Sequence, residues 1–265
     1  GLLMQSYFQN PLAGPFVLGV HSGASLSVAI WLMGVNYFSI FQNELLRNLG
    51  STSMAIIGST LTLLILVTIG AKFRNKLFLI VFGLILGHLV SGIIQILIVW
   101  SNLEGMKTFF LWSLGSFQRV SGMKLVIMSI VSGVAIIASF FLSKPLNLIL
   151  LGDNYAKSSG LSLRKFQFLI ILLTGVLAGT VTSFCGPVVF VGIIAPHLTK
   201  KIIQRDDHRI LLPVTFLMGA LISVSAELLS TLFVDSMLPL NAVLGLIGTP
   251  IIFFFLISSY RESKL

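Results

Sequence analysis

Charge is scarce in this sequence: only 9% of its 265 residues are Asp, Glu, Lys or Arg. A soluble domain carries roughly 25%, so a surface bathed in water on every side is excluded and lipid is the solvent that fits. Cysteine is scarcer still. Cys185 stands alone, which excludes an intramolecular disulfide and any cysteine-based metal cage. The pattern GxxxxGK[S/T] is missing, as are GxSxG and HExxH, so no P-loop and no recognisable hydrolytic centre is expected. No Pro/Ser-rich or low-complexity stretch marks a linker, and one continuous membrane domain over residues 1–265 follows.

What is abundant is apolar: 56% of the chain is hydrophobic and the mean hydropathy is +1.03. The 17 Lys/Arg against 8 Asp/Glu give a net charge of +9, a balance that in a soluble protein suggests nucleic acid. Here the basic residues sit in short gaps between apolar runs, where they orient membrane spans. Nucleic acid is not an expected partner.

A helix needs about 20 largely apolar residues to cross a hydrocarbon core of about 30 Å. Residues 1–9 read as the tail of a span that begins before Gly1. Asn10–Pro15 (NPLAGP) breaks the helix with two prolines and a glycine. Spans are then predicted at 17–37, 53–71, 77–99 and 124–142, with a polar loop, NYFSIFQNELLRNLG, after the first. Gly83 and Gly87 in the third have the GxxxG spacing that lets helices approach closely. The semi-apolar stretch 100–123 is too short to cross and predicts an interfacial helix, with Trp100 and Trp112 at headgroup level.

The apolar run 166–199 is too long for one simple crossing. Gly186–Pro187 divides it into 166–184 and 187–199, the second extended by KKII, and spans at 210–232 and 241–259 complete the set. The fold class is therefore an all-α polytopic membrane protein with eight full spans plus the end of another. Alternating these spans places 13 of the 17 Lys/Arg on one face, in the gaps 72–76, 143–165 and 200–209 and the tail 261–265. Only Arg47, Lys107, Arg119 and Lys124 fall on the other. The basic face, and with it the C-terminus, is cytoplasmic. Treating 166–199 as a single span would put two of the most basic loops on opposite faces.

The same count disperses a tempting cluster. Cys185, His197 and KKIIQRDDHR lie close together in sequence within Ser183–Arg209. Yet Cys185 falls near the outer face and the rest at the inner one, so a shared metal or catalytic centre is not expected. His88 inside a span reads as hydrogen-bonded between helices, and His21, His197 and His208 show no metal-ligand spacing. Glu227 lies inside a span, where a carboxylate costs about 3 kcal/mol at mid-depth and is a candidate for pathway or gating work. Read alone, it would also suit a stand-alone ion-coupled secondary transporter. An intramembrane enzyme is disfavoured because no catalytic pair is present.

The longest inner-face polar segment, 143–165, contains LLGDNYAKSSG (150–160), with Gly152 and Gly160 bracketing a helix-sized piece. Two short helices along the membrane would offer a docking knob to a soluble partner; the plain alternative is a solvated loop. LLGDNYAKSSG resembles the cytoplasmic coupling segment of permeases of the ABC importers for iron–siderophore, haem and vitamin B12. Four further stretches match that family in the same order: MQSYFQNPLAGPFVLGVHSGAS (4–25), FLWSLGSF (110–117), CGPVVFVGIIAPHLTK (185–200) and DHRILLP (207–213). The C-terminal LPLNAVLGLIGTPIIFFFL is similar to the family's last span.

The resemblance implies ten spans in the full-length subunit, so the first and most of the second would precede Gly1. It also implies a second permease subunit, two cytoplasmic ATP-binding subunits that hydrolyse ATP, an extracytoplasmic substrate-binding protein, and a bacterial inner-membrane location. Neither cofactor nor catalysis is implied for this chain. By the same resemblance Gly152, Asp153, Ala156 and Gly160 contact the ATPase, with Lys157 and Arg164 as neighbours of that contact. Asn10, Pro11, Gly14, Pro15, Gly19, Gly23, Gly186, Pro187, Gly192, Pro196 and His197 are structural signature positions. GPFVLG (14–19) echoes GPVVFVG (186–192), on opposite faces in this topology, as an inverted pseudo-repeat requires. The expected cargo is an iron–siderophore chelate, with haem or cobalamin as alternatives. Iron would arrive enclosed in its chelate.

Overall fold

The computed structural model describes residues 1–34, 44–73, 76–232 and 238–262, and every regular element among them is helical. Hydrocarbon offers backbone amides no water to bond, and a helix satisfies each one within its own segment. In order these are α1 (Leu2–Phe8), a 3-10 turn at Pro15–Leu18, α2 (Val20–Gly34), α3 (Glu44–Lys72), α4 (Lys76–Trp100), α5 (Leu103–Ser113) and α6 (Met123–Phe140). There follow α7 (Ser143–Leu150), α8 (Asp153–Ser158), α9 (Leu163–Cys185), α10 (Val191–Ile203), α11 (His208–Thr231) and α12 (Leu240–Glu262).

Among the described residues five helical stretches are long and apolar enough to cross a membrane: Gly50–Gly70, Lys76–Trp100, Met123–Phe140, Leu163–Cys185 and His208–Thr231. They coincide with five of the eight expected spans. Two of the other three take a different form. The run expected at 17–37 is a 3-10 turn followed by the 15-residue α2, residues 35–37 lying outside the description. The run 241–259 lies wholly within the 23-residue α12, which contains Pro250. The run expected at 187–199 is the 13-residue α10, at 191–203; such a helix rises only about 20 Å.

The shift in α10 has a local cause. Gly186 adopts φ 79°, ψ 177°, a region essentially reserved for glycine, and it stops α9 after Cys185. Residues 186–189 are then non-helical, and Phe190 at φ 71° opens the short helix. The Gly14–Pro15 copy behaves alike, since a non-helical stretch and a 3-10 turn precede the equally short α2. The loop expected after the first span is partly helical, because α3 starts at Glu44 and runs for 29 residues. Arg74, Lys264 and the side chain of Arg47, all used in the charge count, lie outside the description.

The chain divides into two compact units. One comprises residues 15–138 and 162–187, and small residues hold it together. A Cβ on Gly23 of α2 would lie 2.5 Å from the Gly58 carbonyl oxygen of α3 and overlap the Thr62 side chain. One on Gly179 of α9 would meet Ser59 of α3 at 3.0 Å, and Gln167 Nε2 donates to the Gly70 carbonyl at 2.9 Å. The GxxxG pair is used as its spacing predicts: Gly19 sits against the Gly83 carbonyl and Gly87 faces Ser22. Backbones this close gain dispersion contacts, which replace the hydrophobic effect between helices in lipid.

The interfacial reading of 100–123 is half right. A short helix is there, α5, capped by Asn102 Oδ1 accepting from Gly105 N at 2.9 Å. Trp100 is exposed, but Trp112 is only 8% exposed and joins Phe109 in a core with Ala24, Val28, Leu32 and Met33. Phe109 and Trp112 are apolar because α5 packs on α2 through them.

The second unit comprises residues 1–14, 139–161 and 188–265. Gly248 of α12 packs on Phe190 and Ile194, a Cβ there lying 2.5 Å from Ile194 Cδ1, and Gly219 of α11 faces Ala195 of α10. Gly14 is held against Ile193, with a Cβ–Cγ1 approach of 2.9 Å. Packing at the α2–α3 crossing predicts that Gly23→Leu costs at least the about 1–3 kcal/mol typical of overpacking. The thermal unfolding midpoint of the detergent-purified protein should fall by several degrees; an unchanged midpoint would contradict the contact.

Candidate functional site: the α7–α8 segment and its anchorage

The polar segment 143–165 folds as two short helices, with a buried underside and an exposed top. Leu146 and Ile149 of α7 and Ala156 of α8 are fully buried at 0% exposure, whereas Leu151 and Tyr155 are 66% and 51% exposed. Asn154 and Lys157 are exposed beside them, and Asp153 opens α8 in its first turn. An aspartate at the start and a lysine at the end of a helix both oppose its dipole.

Two glycines shape the pair. Gly152 takes φ 103°, ψ 150°, which is closed to residues with a Cβ. Gly160 at φ 85° ends α8: its amide donates to the Lys157 carbonyl at 2.9 Å and Leu161 N to the Ala156 carbonyl at 3.0 Å. That is the paired arrangement of a Schellman cap. A Cβ at either glycine would meet nothing within 4 Å, so backbone conformation, not crowding, demands glycine there.

α7 is tied to two other elements of its unit. Gln9 Nε2, just past α1, donates to the Ile149 carbonyl at 3.1 Å. Asn147 Nδ2 donates to Asp207 Oδ1 at 2.7 Å, and Asn147 Oδ1 accepts both the His208 amide at 2.9 Å and His208 Nδ1 at 2.7 Å. Since an amide oxygen only accepts, Nδ1 carries the proton and Nε2 accepts; Ser6 Oγ of α1 donates to it at 2.6 Å. His208 is 0% and Ser6 2% exposed. Asp207 also caps α11 by accepting from Arg209 N at 3.0 Å. That backbone bond first, and the Asn147 amide second, hold its carboxyl below the usual range.

His208 thus has a packing role, and so has His197. His197 Nδ1 lies 2.8 Å from the Ile193 carbonyl and 3.3 Å from Gln5 Nε2. Cys185 belongs to the other unit, where its Sγ is 3.9 Å from Met128 Sδ. Among the described residues no three His, Cys, Asp or Glu side chains converge as a metal site. Among the signature positions, Asn10 Oδ1 accepts from Leu12 N at 2.9 Å, Pro187 and Pro196 are buried, and Gly192 abuts Gly1. Arg119 Nη2 donates to the Leu111 carbonyl at 2.7 Å, and Lys107 is exposed.

The other unit holds a groove of about 480 Å³ between α2 and α4. His21, Ser22 and Ser25 line one wall, and His88, Ser91 and Gln95 the other. His21 Nδ1 is buried there without a hydrogen-bond partner, and the Phe16 ring stacks on its imidazole with centroids 3.5 Å apart. His88, Ser91 and Gln95 form one exposed stripe on α4, whereas Ile85, Leu89 and Ile96, also exposed, lie on a different face. Glu227 is half-buried near the far end of α11 from His208, its Oε2 enclosed without a partner. Asn147, Ser6 and Gln9 escaped the sequence reading. Their one signal was polarity inside apolar runs, and their partners lie 61, 202 and 140 residues away.

Apolar helices long enough to cross a membrane, small-residue crossings, and an amphipathic helix pair define a polytopic membrane protein. Comparison with known proteins makes this specific: residues 1–258 match the model of the FecCD transport family, and the chain belongs to that family. It is 32% identical to the hemin transport system permease protein of Yersinia pestis over 266 residues, 100% of this chain and 78% of the relative. It is 30% identical to the vitamin B12 import system permease protein of Vibrio cholerae (98% and 76% covered) and 29% identical to the molybdate import system permease protein of Haemophilus influenzae (95% and 72%). A solved metal-chelate type ABC transporter in an inward-facing conformation superposes with a TM-score of 0.85 at 27% identity, covering 97% of this chain and 81% of that one. The chain is thus a membrane permease of the ABC-importer class.

Gly152→Ala should strain the backbone by about 1–3 kcal/mol despite the empty space. Limited proteolysis of detergent-solubilised protein should then cut at 150–160 faster than in the wild type. Equal protection would show that the segment relaxes without cost.

Proposed function

We propose that the chain is the translocating subunit of an importer for an iron–siderophore-type chelate, driven by ATP hydrolysis in a separate subunit that docks on α7–α8. The observation that carries this reading is the pairing of a fully buried underside (Leu146, Ile149, Ala156) with an exposed Leu151–Tyr155–Lys157 surface. An apolar and aromatic surface on so short a segment suits a protein partner, aromatic anchors being enriched at interface cores. Gly152, Asp153, Ala156 and Gly160 then serve the contact by shape, holding α8 at its angle. A second permease subunit and an extracytoplasmic binding protein complete the assembly, in a bacterial inner membrane with the basic loops and C-terminus inside.

The groove supports a chelate as cargo. Its walls offer imidazoles, hydroxyls and an amide, with aromatic rings of Phe16 and Phe109 beside them, and among the described residues none that lines it carries a fixed charge. Neutral hydrogen-bonding groups fit a molecule whose metal charge is already enclosed by its own ligands; a bare dianion is better matched by fixed positive charge. Haem and cobalamin share the enclosed character and remain the alternatives. Polar side chains exposed along a membrane span are costly against lipid, which favours a water-filled path along this stripe. Glu227, with a buried unpaired carboxylate oxygen, is assigned to gating within its own unit.

Two measurements test this. Tyr155→Asp should abolish co-purification with the ATPase subunit while leaving membrane insertion intact; normal co-purification would remove the docking role. Cysteine placed at Ser91 or Gln95 should react with a membrane-impermeant thiol reagent, and cysteine at Leu89 should not. Equal reactivity at all three positions would sink the path assignment.

A further inference from the structure

The segment α7–α8 is joined covalently to α6 and α9, but residues 139–161 cluster with α1, α10, α11 and α12, whereas α9 and residues up to 138 belong to the other unit. Its packing partners are therefore not its chain neighbours. Force applied to α8 reaches α11 through contacts made across space, and the polar part of that contact is one joint, buried at His208 and Ser6 and half-buried at Asn147 and Asp207.

In that joint the Asn147 amide makes three hydrogen bonds, one from its nitrogen to Asp207 and two accepted by its oxygen from His208. Both ring nitrogens of His208 are engaged, one on α7 and one on Ser6 of α1. Sliding α7 past α11 would leave the buried His208 imidazole without its Nδ1 partner, and an unpaired buried polar group is strongly disfavoured. A hydrogen-bonded joint of this kind transmits displacement, whereas an apolar contact lets neighbours slip.

Resting on the coupling role proposed above, we infer that Asn147 and His208 are positioning residues for energy coupling: their hydrogen bonds pass movement of the ATPase-docking helices to α1 and α11. Neither touches cargo or nucleotide. They act by locking three elements into one moving body, and α11 carries that movement towards Glu227 at its far end.

The test reconstitutes the chain with its ATPase and binding-protein partners in liposomes. It reads uptake of a ferric hydroxamate siderophore against ATP hydrolysed. Asn147→Leu, close in volume but without the amide, should keep co-purification and basal hydrolysis yet lower uptake per ATP by about tenfold. Asn147→Asp should fail likewise, because it sets two carboxylates together. The double variant Asn147→Asp with Asp207→Asn restores one amide and one carboxylate with their places exchanged, and should recover most of the coupling. Wild-type coupling in Asn147→Leu, or no recovery in the exchanged pair, overturns the joint.

A cargo-free readout separates this from the choice of chelate. Spin labels at Leu217→Cys on α11 and Val99→Cys on α4, both exposed positions, should change separation when ATP is added to the wild-type complex, and much less in Asn147→Leu. Loss of siderophore uptake in the wild type with the distance change intact contradicts the cargo alone. No ATP-dependent change in the wild type, or the same change in the variant, contradicts the joint.

Discussion

Two backbones can approach within hydrocarbon only where side chains step aside, and this constraint governs the structure. Gly23 against Gly58 and Gly179 against Ser59 set α2, α3 and α9 at contact distance, and Gly248 does the same for α12 on α10. Lipid supplies no hydrophobic drive between helices, so packing and a few interhelical hydrogen bonds hold them. The bond from Gln167 to the Gly70 carbonyl, at 2.9 Å, is of that kind. Such contacts make each unit internally stiff, and stiffness is what a machine that moves whole bodies requires.

Polar side chains are few, and their placement divides the work. Those of Ser6, Asn147, Asp207 and His208 are spent on one another, fixing the α7–α8 segment to α1 and α11. Those of His21, His88, Ser91 and Gln95 face a groove. The first set is hydrogen-bonded throughout, with Ser6 and His208 buried, which suits transmission. In the second, His21 Nδ1 has no partner, which suits contact with water or a passing solute. The assigned roles follow from this difference in satisfaction.

Much of this was legible in the sequence, for local reasons. Hydropathy alone locates the five long helices, since lipid leaves no other way to bury such runs. Gly186–Pro187 marks a break because its backbone demand is intrinsic to those two residues, and Gly152 and Gly160 bracket α8 for the same reason. Length was less legible. Phe190, an ordinary apolar residue in sequence, sits at φ 71° and shortens α10 to 13 residues. Trp112 looked interfacial because nothing local reveals that α5 packs on α2. The joint at His208 was invisible, since both its side-chain partners are distant in sequence and polar residues of either kind could have faced water.

The central claim is that this permease moves an enclosed metal chelate only when an ATPase is docked on α7–α8. The most direct measurement is uptake of a labelled ferric siderophore into proteoliposomes containing the chain with or without its ATPase partner. The account predicts uptake with the partner and ATP present, and none when either is withheld. Uptake by the chain alone under an imposed proton gradient would contradict it.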